Sequence, residues 1–206
     1  MYLLNTFKNL SLVALLASTL AFTACDDDEV DAPHEENEEE VITDIKLTFT
    51  NTQDANDVVT ASAQDPDGEG IEELVIAGDI SLDVDKSYTL TLEVENNLES
   101  PGEDIAVEIE EEGDEHQLFY SFSNDAFTNP AGSGNINNAS GTVAYNDMDA
   151  NGNPLGLSTS WTTSSTVLEN GSFTVRLQHQ PDLKTATSGA TDGDTDFELT
   201  FVLNIK

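Results

Sequence analysis

The chain has a single cysteine, Cys25, among its 206 residues. One thiol makes no intrachain disulfide and no cysteine-rich metal cluster. Cations are nearly as scarce, with six Lys and Arg against 41 Asp and Glu and a formal net charge of -35. Lys8 precedes Cys25, only Lys46, Lys86, Arg176, Lys184 and Lys206 follow it, and every acidic residue lies beyond it. Such a surface repels phosphate backbones and anionic headgroups, which excludes nucleic acid as a partner and electrostatic attraction as a route to membranes. It suits small cations, or serves solubility alone. Beyond the first 25 residues no apolar run approaches the ~20 residues of a membrane-spanning helix. Catalytic signatures are missing as well. There is no G-x-S-x-G, no H-E-x-x-H and no phosphate-cradling glycine loop, and no carboxylate pair stands out as a glycosidase acid and nucleophile. The chain reads as a non-enzyme.

What is present begins with an address. Lys8 is followed by an apolar run over residues 10–22, too short to span a bilayer and suited to a signal-peptide core, and small Thr23 and Ala24 then precede Cys25. This junction resembles the lipobox of bacterial lipoproteins, with Phe22 where Leu is commoner. The resemblance implies removal of residues 1–24 and acylation of Cys25 as the lipid attachment site. Acyl chains contribute roughly 0.8 kcal/mol per buried CH₂, so two or three of them anchor a domain without a transmembrane helix. The acidic run Asp26-Asp27-Asp28-Glu29 is similar to the export signal of surface lipoproteins in the Bacteroidota. It implies an outer-membrane protein at the cell surface.

Residues 25–40 carry almost nothing to bury and repel one another, so they read as a disordered acidic tether in which His34 is one polar residue more. From Val41 the pattern changes to short alternating segments. Ile45, Leu47 and Phe49 alternate with polar residues, as do Tyr88, Leu90, Leu92 and Val94, and Phe197, Leu199, Phe201, Leu203 and Ile205. Further strands are expected at 59–63, 74–77, 80–84, 118–122, 141–145, 157–164 and 173–177, with a turn at Asp65-Pro66-Asp67-Gly68. The Ser/Thr-rich strand around Trp161 reads as the solvent face of a sandwich, with a carbohydrate-facing sheet as the alternative. Ser100-Pro101-Gly102-Glu103 has capping-box spacing, and Ile105 and Ile109 lie four apart, which predicts one short acidic helix over 101–112. The expectation is an all-β domain over residues 41–206: an antiparallel β-sandwich, Ig-like or related, of nine or ten strands.

Several segments occur here in combination: Glu-Asp-Ile at 103–105, Glu-Glu-Gly-Asp-Glu-His-Gln at 111–117, the stretch at 144–157 and Leu-Gln-His-Gln-Pro at 177–181. Behind a lipobox and an acidic tether they resemble a family of uncharacterised Bacteroidota lipoproteins often labelled type 1 periplasmic binding fold superfamily proteins. The resemblance covers most of residues 41–206. The label implies an α/β fold, which conflicts with the alternation just described.

Two sets of candidate ligands stand out. Asp147, Asp149, Asn151 and Asn153, with Gly152 at the turn, match the first half of an EF-hand-type calcium loop, although Ser158 stands where the bidentate Glu belongs. His116 and His179 sit at strand ends in phase with the apolar residues, and with Glu112, Asp114 or Glu115 they form a His₂-carboxylate zinc or copper set if those ends adjoin. The first functional expectation is an accessory module that captures a divalent cation or small ligand for an outer-membrane transporter. The second is a structural or adhesive surface module with a calcium-stiffened loop.

Overall fold

Residues 41–65, 73–98 and 100–206 are described by a computed structural model. Residues 1–40, with the expected signal segment, Cys25 and the expected tether, and residues 66–72, with most of the expected turn, lie outside the described residues. The strands are β1 (Asp44–Asn51), β2 (Val58–Gln64), β3 (Val75–Ala77), β4 (Ile80–Leu82), β5 (Ser87–Asn96) and β6 (Glu103–Asp104). After helix α1 (Ile105–Glu111) come β7 (His116–Phe122), β8 (Phe127–Asn129), β9 (Ser158–Thr163), β10 (Leu168–His179) and β11 (Asp194–Ile205). The larger sheet has the order β3-β2-β1-β5-β9-β8, with β6 also paired to β5, and the smaller has the order β4-β11-β10-β7. All pairings are antiparallel except β4 with β11.

The alternation of the sequence explains which face each strand buries. Ile45, Leu47 and Phe49 of β1, Leu90, Leu92 and Val94 of β5, and Leu199, Phe201 and Leu203 of β11 all enter one core between the sheets. At roughly 1.5–3 kcal/mol for each fully buried large apolar side chain, this face is what holds the fold. The protein is therefore an all-β sandwich-like fold, not the α/β arrangement that the family label implies.

Three local expectations need correction. The helix starts at Ile105 rather than 101, because Glu103 and Asp104 pair with Asn96 and Glu95 of β5, and its N-terminus has no side-chain cap. Residues 141–145 form no strand; Tyr145 makes a single bridge to Thr159, beside the stretch of β9 that β8 leaves uncovered. Trp161 is fully buried rather than solvent-facing, since Thr159, Trp161 and Thr163 form the inner face of β9. Its indole meets Tyr120, Phe122, Phe127 and Phe173. Among the described residues, no helix is long and apolar enough to cross a membrane.

Candidate metal centre

β7 and β10 are neighbours whose register sets His179 opposite His116. β10 ends where β7 begins, so both imidazoles come to one end of the smaller sheet, on the face shared with Leu118 and Leu177. The rings stack, with centroids 4.7 Å apart and planes within 7° of parallel. Gly193 closes the edge beside them at φ +81°, where an added Cβ would sit 2.0 Å from the His179 carbonyl oxygen, so only glycine fits.

α1 ends just before this point, and its trailing carbonyl orients the first ring. His116 Nδ1 lies 3.3 Å from the Glu112 carbonyl oxygen, an acceptor, so Nδ1–H is the donor and Nε2 carries the lone pair. Nε2 is buried and has no hydrogen-bond partner. His179 Nε2 lies 3.7 Å from Glu115 Oε2. Burial first, then the neighbouring His179 and the Lys184 ammonium, push the His116 pKa down to about 4 against the opposing pull of the Glu112 carbonyl. His116 is thus a neutral imidazole at pH 7. The Glu112 carboxyl is held above its ordinary value by burial and by the like charges of Glu115 and Glu108.

The other candidate set lies in the loop between Tyr145 and β9. Asp147 accepts from the backbone N–H of Gly156 through Oδ1 at 2.9 Å and of Ser158 through Oδ2 at 2.8 Å. Asp149 Oδ1 accepts from the N–H of Asn151 and of Asn153, both at 2.8 Å. Its Oδ2 takes the Asn153 side-chain amide at 3.3 Å and the Lys184 ammonium at 3.1 Å. Burial raises the Asp149 pKa, but these donors outweigh it and leave the carboxyl below its ordinary range. Each carboxylate of the calcium-type motif already has its partners within the chain. Lys184 was not among the sequence candidates, and as one cation in a polar loop it carries no periodic or motif signal.

The structure thus brings His116, His179, Glu112 and Glu115 to one place, and Asp147, Asp149 and Asn153 to another, while Asn151 lies exposed at the loop tip. Among the described residues no group of three or more His, Cys, Asp and Glu side chains is set to hold a metal ion. Two open cavities, of about 610 and 510 Å³, lie at residues 96–103 and around Asp44, Gln64 and Asn97, and neither is lined by a histidine. No family model matches the chain, and no curated protein or solved structure does.

Proposed function

We propose that this chain is a non-enzymatic lipoprotein, anchored in the bacterial outer membrane through acyl chains on Cys25 and facing the cell surface. Its sandwich captures a divalent transition metal and presents it to an outer-membrane transporter. One observation supports this reading over the others: the unpartnered, buried lone pair of His116 Nε2, oriented by the Glu112 carbonyl and set beside His179. Metal-bound histidines characteristically donate their second ring N–H to a carbonyl or carboxylate. Imidazole donors select zinc or copper over calcium, which takes hard oxygen ligands. The stacked rings do not converge on one point as they stand; turned out of the stack towards one ion, two imidazoles with Glu115 would leave a coordination position open, so that a receiving protein can supply a ligand and take the metal by exchange.

In the full-length protein, zinc should raise the melting temperature by binding the native state alone, and copper should act at the same site. His116→Ala/His179→Ala should lose that gain, and the many surface carboxylates, untouched in this variant, are the internal control. A shift that survives the double substitution removes the site assignment and leaves the structural or adhesive reading. The anchor has its own test. Cys25→Ser should move the protein from the detergent-extracted membrane fraction to the soluble one, and retention on the membrane would contradict lipid attachment at this residue.

A further inference from the structure

Lys184 lies in the loop between β10 and β11, and its side chain is fully buried in a chain with few cations to spare. The ammonium donates to the carbonyl oxygens of Gly113 at 2.5 Å and His116 at 2.7 Å, and to Asp149 Oδ2 at 3.1 Å. Each of its three N–H bonds therefore has an acceptor. An added Cβ at Gly113 would crowd the Glu110 carbonyl oxygen at 3.1 Å and Asp149 Cβ at 3.3 Å, so the bare glycine lets Asp149 pack closely on this turn.

We propose that Lys184 is the resident cation of the 147–153 loop: its ammonium fills an oxygen cradle built from Asp149 and two backbone carbonyls, in the role that a calcium ion plays in loops of this Asp-x-Asp-x-Asn-Gly pattern. The ligand count fits. Calcium takes six to eight oxygens and generally a bidentate Glu at the twelfth position, whereas an ammonium is satisfied by three. That twelfth position is Ser158, whose contribution is a backbone N–H to Asp147 rather than a ligand. Burying Asp149 also demands a nearby positive charge, since an unpaired buried carboxylate is costly. The tethered lysine supplies it from within the chain, so the counter-charge does not depend on the calcium concentration. It also ties the loop to the His116 carbonyl, at the start of β7.

The same cradle, emptied of its ammonium, offers a hard divalent cation three oxygens, with water completing the shell. Calcium chloride titrated into the full-length protein should leave the wild-type melting temperature unchanged. Lys184→Ala should melt lower, regain stability with calcium, and bind it at least about tenfold more tightly than wild type, as expected when a site gains an open carboxylate and loses a fixed cation. Lys184→Ala/Asp149→Asn should lose the gain, which separates the cradle from diffuse binding to the acidic surface. Equal calcium stabilisation of wild type and Lys184→Ala would overturn the proposal. So would a Lys184→Ala chain that calcium neither folds nor stabilises.

Discussion

Trp161→Ala is expected to cost about 3–5 kcal/mol of folding stability, the range for removing a large aromatic side chain from a core. The indole is fully buried, with ring centroids 4.8 Å from Phe127, 5.0 Å from Phe173, 5.4 Å from Phe122 and 5.6 Å from Tyr120. These rings come from both sheets, so the walls of the resulting cavity cannot close without moving one sheet against the other. The indole N–H is satisfied by Thr159 Oγ1 at 2.7 Å, and the substitution takes this bond away as well. Urea denaturation at unchanged slope measures the loss, with Val202→Ala, on the outer face of β11, as a control expected below about 1 kcal/mol. A comparably small loss for Trp161→Ala would mean that the inner face of β9 is not the core.

Acid should destabilise the protein through His116. Its native pKa, pushed from 6.5 to about 4, means that the unfolded imidazole takes up a proton below 6.5 while the native one stays neutral until about 4. The unfolded state therefore binds more protons in that window. The contribution is fully present above pH 6.5 and is lost as pH falls towards 4, amounting to about 2 kcal/mol by pH 5. The ionisable groups facing the ring are His179, which stacks on it, Lys184, bonded to its carbonyl, and Glu112 and Glu115 on the preceding turn. His116→Gln should remove this part of the acid loss while the carboxylates continue to titrate. An identical fall in stability from pH 7 to pH 5 in wild type and variant would place the ring in contact with water.

The fold was legible wherever the alternation was clean. β1, β5 and β11 follow the two-residue period to within a residue or two at their ends, because one face of each is buried and the other is not. β7 is less transparent, since it is buried on both faces over most of its length, and the register that opposes His116 to His179 depends on pairing across a long separation in the chain. Sequence placed both histidines in phase with the apolar residues but not face to face. β8 is three residues long and carries no periodicity at all. The tertiary override was strongest at 101–104, where a good capping-box spacing lost to the pairing of β6 with β5. Lys184 was illegible for a different reason: its burial depends on three chain segments converging, and local sequence carries no record of that.

The most direct test of metal capture is to locate the ion. Crystals of the protein grown with zinc, measured on both sides of the zinc absorption edge, should give an anomalous peak beside His116 Nε2 and the His179 ring, at about 2.0–2.1 Å from the imidazole nitrogens. Zinc found only on surface carboxylates, with the two rings still stacked 4.7 Å apart, would contradict it.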